Sequence, residues 1–298
     1  MDFSVVANAK DLPHTVVSEI DKNSTDKNML WTKGINQVLP FQIDTDNVLT
    51  NVPDEHFVSY NLPYNKANLE NFYEGLVTKF PNHPPIEFNE LKDNEKLLLS
   101  YFFYNIRLPN GFRVSASSVD FHGTQVKSLQ YRPQGRSDSS LTTFYKNDTT
   151  HEYAFKIIIN GGKEELVMYS AANESFWKDT YKNATSFISG LSHKYKPAKD
   201  ESVLVPEIDF SIVKDYSFDE RKNLPELHDY SLAEERIKLK ISAPATGGPM
   251  EVNHKYDTPK NYALNGNLLV YIKEVKSAEP YCIINVKHPE ILKVEHHK

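Results

Sequence analysis

The chain has 298 residues, 39% hydrophobic and 25% charged, the balance of a folded globular protein, which excludes wholesale disorder. A formal net charge of −6 excludes a protein whose main task is gripping a phosphate backbone. The single cysteine, Cys282, excludes an internal disulfide framework, fits a reducing compartment and reads as a small buried side chain on a strand. Seventeen tyrosines and sixteen phenylalanines favour sheet over helical bundle.

The N-terminal MDFSVVANAKDLPHTV has neither a basic n-region nor an apolar h-region, so no secretory signal is expected. No apolar run approaches the ~20 residues of a spanning helix, so no membrane insertion is expected either. The sequons at Asn23, Asn147, Asn173 and Asn183 then read as chance products of a polar surface. Residues 1–35 show no helical or strand period and are expected to form an extended arm, docked through Val5, Val6, Leu12, Val16, Val17 and Ile20. Residues 36–298 carry no repeat or compositional break and are read as a single domain.

Within that domain VLPFQIDTDNVL (38–49) and HFVSYNLP (56–63) alternate as short strands. Residues 68–80 change period: Leu69, Phe72, Tyr73, Leu76 and Phe80 fall on one helical face, and Pro81 ends the run. The stretch 97–133 then organises the chain. Leu97 to Tyr104 is apolar and aromatic enough to require a core or a large interface. Asn110-Gly111 and His122-Gly123 are turn signals, and the alternation between them places Phe112–Val119 and Val126–Tyr131 in long strands joined at Phe121-His122-Gly123. Gly135–Leu141 is a loop.

HEYAFKIIIN, Gly161-Gly162 and KEELVMYSA read as a hairpin, and SFWKDTYKNATSFISGLS as a short helix with an exposed loop. Ile208, Phe210 and Ile212 mark a strand in 202–218, and Ile237, Leu239 and Ile241 another. FDERKNLPELHDYSLAEE between them reads as a charged connection. After the long loop ATGGPMEVNHKYDTPKNYALNGN, LLVYIKEV (268–275) and YCIINVKH (281–288) close the chain as two strands. The class expected is all-β: an antiparallel jelly-roll β-sandwich with one or two short helices and an extended N-terminal arm.

No residue set carries a specific chemical signature. There is no nucleophile elbow, phosphate-cradling loop, zincin helix or paired-cysteine site. His296-His297 reads as tail. Asp44-Thr45-Asp46 and Asp215…Asp219-Glu220 lack the spacing and glycine of a calcium loop. His122 has no evident base or nucleophile partner and reads as a turn residue. The expectation is a protein that is not an enzyme, with no catalytic, cofactor-binding or metal residues and no cofactor.

A helix, the aromatic run Phe102 to Tyr104, Gly111-Phe112, Phe121-His122-Gly123 and Tyr131 with Pro133 follow in an order that resembles the jelly-roll capsid proteins of picorna-like RNA viruses. The resemblance spans roughly 38–290, with Trp177 and Asn265-Gly266 in matching order. It departs at His122-Gly123, which lacks the family's intervening residue, and in a short charged tail without a processing signature. It implies a structural subunit of an icosahedral shell, found in the virion and in the host cytoplasm during assembly. Its partners would be other capsid subunits, with genomic RNA at the inner surface and a receptor that the sequence does not name. A rival is VPEIDFSIVKDYSFDE, RIKLKIS, MEVN and PYCIINVKHPEIL, which is similar to the C-terminal third of a serpin, a protease inhibitor, in the order of its strands. NHKYDTPKNYALNG is unlike the Glu-Gly-Thr-Glu hinge that precedes a serpin's reactive loop, and the Asn-Ala and Phe-Lys-Gly core segments are missing. A third class is a jelly-roll carbohydrate-binding module, against which two tryptophans weigh mildly.

Overall fold

A computed structural model describes residues 29–33, 37, 49–81, 95–133, 141–172, 177–198, 201–215, 227–244 and 261–294. The first strands are β1 (Met29–Thr32), β2 (Phe57–Pro63), β3 (Lys96–Arg107), β4 (Phe112–Val114), β5 (Val119–Phe121), β6 (Thr124–Val126) and β7 (Ser128–Tyr131). Helix α1 (Lys66–Lys79) lies between β2 and β3. There follow β8 (Thr142–Asn147), β9 (Glu152–Ile159), β10 (Glu164–Ala171), helix α2 (Trp177–Ser189) and β11 (Lys194–Tyr195). The last group is β12 (Ser202–Pro206), β13 (Ile208–Asp215), β14 (Tyr230–Ser242), β15 (Asn261–Ala263), β16 (Asn267–Glu274) and β17 (Cys282–Val286). Strands dominate, so the all-β class holds. Among the described residues no helix is long and apolar enough to cross a membrane.

The largest sheet runs β1-β17-β16-β10-β9-β8-β11 and is antiparallel throughout. Facing it are two four-stranded sheets, β13-β14-β3-β2 and β15-β12-β7-β4, and a β5-β6 ribbon. The main core lies between these layers. Phe155, Ile157, Met168, Val270 and Ile284 from the large sheet meet Phe102, Ile237, Leu239, Phe112 and Val205 from the smaller ones.

The β13-β14-β3-β2 sheet and the seven-stranded sheet each carry a helix outside. Asn65 caps α1, its side chain accepting from the Ala67 amide at 2.9 Å. Phe72 and Leu76 of α1 are buried against Tyr60, Leu97, Leu99, Tyr101 and Phe103, with Leu69, Tyr73 and Phe80 around them, as the helical period requires. On the far side Ala184 and Phe187 of α2 pack on Tyr145, Val167, Tyr169, Leu269 and Tyr271. Strand β3 is covered on both faces, which explains why its sequence is nearly continuous in apolar residues rather than alternating.

Several sequence expectations change. Two features depart from an antiparallel jelly roll. Strands β3 and β14 pair in parallel, as do β12 and β15, and β8, β9 and β10 lie side by side in one sheet. The segment 112–131 is not two long strands but four of three or four residues, because Ser115–Ser118 leaves the sheet. Phe112 is buried while Val114 is 44% exposed; Val114 and Ala116 are both exposed, and Arg113 and Ser115 are both half-buried. From Tyr230 onward the charged connection before Arg236 is the first half of β14, where Ala233, Glu234 and Glu235 are buried. Met29–Thr32, expected within the arm, is an edge strand paired with β17, and Leu30 reaches the core. Residues 1–28 and, apart from Leu49, the strand expected at 38–49 fall outside the described residues.

The hairpins stand as read. Strands β9 and β10 pair through Asn160-Gly161-Gly162, β16 and β17 through 275–281, and Cys282 is fully buried. His122 and Gly123 both take positive φ, 50° and 85°, closing β5 onto β6, and the Gly123 amide donates to Asp120 Oδ1 at 2.9 Å. A Cβ at Gly123 meets nothing within 4 Å, so replacing it costs backbone strain alone. At Gly266 a Cβ would come within 2.4 Å of the Ala171 carbonyl oxygen. Urea unfolding should therefore show Gly123→Val destabilising by on the order of 1 kcal/mol, Gly266→Ala by more, and Ser115→Ala by little, since among the described residues Ser115 Oγ accepts only from the Ser117 amide.

Candidate functional site

A carboxylate sits where β10 enters the core. Its position follows from the period of the strand: Glu164 shares a face with Leu166 and Met168, so it points between the sheets and is 1% exposed. Burying a charge there demands partners, and three arrive from distant segments. His56, in the single turn before β2, places Nε2 2.9 Å from Glu164 Oε1. Tyr281, just ahead of β17, donates its hydroxyl to the same oxygen at 2.9 Å, and Tyr104 of β3 donates to Oε2. The His56 ring is held by stacking on Tyr104, with centroids 3.7 Å apart.

The electrostatics follow from that geometry. Burial alone would push the Glu164 carboxyl up. The hydrogen bonds from His56 and Tyr104, the His56 charge and the Tyr281 hydroxyl outweigh it and bring the carboxyl below its ordinary value. Burial first, then Glu164, pushes the hydroxyls of Tyr104 and Tyr281 upward, so both stay protonated donors. Toward solvent, Glu55 lies 3.8 Å from His56 Nε2 and is itself bound by Asn160 at 2.6 Å and Lys163 at 3.4 Å.

The donor atoms of Glu55, His56 and Glu164 lie within 4.8 Å of one another, a set of the type that ligates divalent ions. Both Glu164 oxygens and His56 Nε2 are already hydrogen-bonded to each other or to tyrosines, so the cluster is complete as a pin between the two sheets.

Two more polar groups cross between elements. On the helix side of the smaller sheet, Tyr101 of β3 donates to Glu234 of β14 at 3.0 Å, and Arg236 binds the same carboxylate at 2.6 and 3.2 Å. At the opposite edge of the molecule Lys146 lies 3.8 Å above the Tyr195 ring and donates to Tyr262 and Asp148, both at 2.8 Å. Glu201 completes that group by accepting from Tyr195 at 2.6 Å and Tyr262 at 3.0 Å. It ties the edge strands β11 and β15 to the sheets beside them.

Of the residues weighed on sequence, His122 is exposed in its turn, edge-on to Phe121 and apart from these clusters. Burial pushes the Cys282 thiol up, so it is no reactive thiolate. Asp44, Asp46, Asp219, Glu220, His296 and His297 lie outside the described residues. The clusters themselves escaped sequence reasoning because their members stand far apart in the chain. One signal was present: Glu164-Glu165 opens a strand that is otherwise apolar on both faces.

A scan of protein-family models finds none that matches this chain, and a search of curated proteins finds no match either.

Because its folded value lies below that of the unfolded chain, Glu164 stabilises the fold above the ordinary carboxylate value of ~4.3. The contribution disappears as pH falls through the folded value. Glu164→Gln should cost about 2 kcal/mol at pH 7, measured by denaturant unfolding, and the gap to the native protein should close as pH falls below about 4.

Proposed function

We propose that this chain is a serpin-like protein that recognises an endopeptidase through the connection 243–260, and has no catalytic activity of its own. The observation that carries this reading is the parallel pairing of β3 with β14 at the centre of a four-stranded sheet, over Tyr230↔Lys96 to Ser242↔Arg107. A chain that leaves β14 and turns back runs antiparallel to β14. Because β3 is parallel to β14, it also runs antiparallel to β3. That is the strand geometry that serpins use when a reactive loop joins their sheet. Support also comes from chain order. Strands β12, β13 and β14, then the connection 243–260, then the β16–β17 hairpin follow in the order implied by the serpin resemblance of VPEIDFSIVKDYSFDE, RIKLKIS and PYCIINVKHPEIL.

The capsid-subunit reading, with its jelly roll, remains the second proposal. It draws support from the mostly β composition and from the tight Phe121-His122-Gly123 connection. The parallel pairs and the β8–β9–β10 meander give it none.

One experiment separates the two. The purified chain is sized by light scattering, alone and after mixing with a panel of serine and cysteine endopeptidases. The serpin-like reading expects a monomer that forms a one-to-one complex with at least one peptidase, cut or protected within 243–260. Shells of many copies would establish the capsid reading, and a monomer that no peptidase engages at 243–260 would remove the first.

A further inference from the structure

Beside the last turn of α1, the helix-side face of β3, β14 and β13 carries a cleft of about 410 Å³, within the range of small-molecule sites. Its walls include Lys79, Phe80, Phe103, Asp209, Lys238 and Lys240. Phe80 stands edge-on to Phe103, with ring centroids 5.1 Å apart, so one side of the cleft is aromatic.

The other side follows from the period of β14. Alternate residues of a strand share a face, so Arg236, Lys238 and Lys240 share one side of the sheet. The register sets Lys238 beside Phe103 of β3 and Ser211 of β13, and Lys240 beside Asn105 and Asp209. Most of these cations are already engaged. Arg236 binds Glu234 at 2.6 Å, and Lys240 pairs with Asp209 at 3.0 Å. Lys79 gives its ammonium to the carbonyls of Asp54 and Phe57, at 2.7 and 3.0 Å. Lys238 is the exception. It is half-buried on a central strand, and among the described residues no hydrogen bond or ion pair reaches it. An ammonium taken partly out of water with no counter-ion costs free energy, and an anion in the cleft would offset that cost.

We propose that this cleft binds a small aromatic carboxylate, its ring against Phe80 and Phe103 and its carboxylate on the Lys238 ammonium. The aromatic wall selects a flat π-system, which packs edge-on or offset against such rings. One uncommitted cation selects a single negative charge, and Asp209 repels a second. The site is independent of the serpin-like reading and is tested apart from it.

The full chain is titrated in a calorimeter with 2-naphthoate, and separately with the uncharged 2-naphthamide. The native protein should take up one naphthoate per chain and bind the amide about tenfold more weakly. Lys238→Met should weaken naphthoate about tenfold and leave the amide unchanged. Asp209→Asn should tighten naphthoate several-fold, because it removes a repelling charge and frees Lys240. A purely structural ion pair would give no such gain. Phe80→Ala should weaken acid and amide alike. Thermal unfolding of each variant, with a cooperative transition like that of the native chain, checks that it is folded. If naphthoate does not bind, or the native chain takes acid and amide equally, the proposal is overturned without recourse to any variant. A folded Lys238→Met chain that binds naphthoate as the native one does overturns it as well. Unchanged affinity in Asp209→Asn overturns the part given to Asp209 in setting the ligand's charge.

Discussion

The parallel ladder of β3 and β14 constrains most of what surrounds it. A parallel pair cannot be closed by a tight turn, so the chain must travel far between its two strands. It uses that length to build the β8–β10 meander of the seven-stranded sheet, α2 and the β4–β7–β12 layer before returning. The same ladder needs cover on both faces. One face is buried by the large sheet and the other by α1, which is why Leu97 through Phe103 are almost all inaccessible.

Of the carboxylates buried in this layered structure, Glu164 and Glu234 are treated alike. Glu164 faces the space between the sheets and Glu234 faces the helix side, yet each is held by tyrosine hydroxyls from β3 and by a basic side chain close by. Strand β3 thus contributes Tyr104 to one pin and Tyr101 to the other, on opposite faces. A phenol suits that work because its ring fills apolar space while its hydroxyl supplies the one donor a buried carboxylate lacks. The cost of each buried charge is offset only while its partners stay in place, so both clusters fix the register of elements rather than adding much net stability.

The functional reading depends on the same geometry. A central parallel pair followed by a long connection permits a returning strand, but side-chain staples and local sequence decide whether one can enter.

Local elements were legible in the residues alone. Helix α1 followed from Leu69, Phe72, Tyr73, Leu76 and Phe80 at one helical face, with Pro81 after. The β9–β10 and β16–β17 hairpins followed from alternation around short turns, and the buried state of Cys282 from its strand. Periodicity reports which face of an element is apolar, and these are the properties it can reach. Which sheet each strand joined was settled by long-range packing. Nothing in Ser202–Asp215 announces that β12 and β13 part company at Glu207 into different sheets. Nothing in YSLAEE announces a strand either, since Glu234 looks like solvent-facing charge until Tyr101 is brought beside it. His56, Tyr104 and Tyr281 stand 108, 60 and 117 residues from the Glu164 they bind. Local sequence encodes a side chain's need for a partner, and only the fold supplies which one it gets.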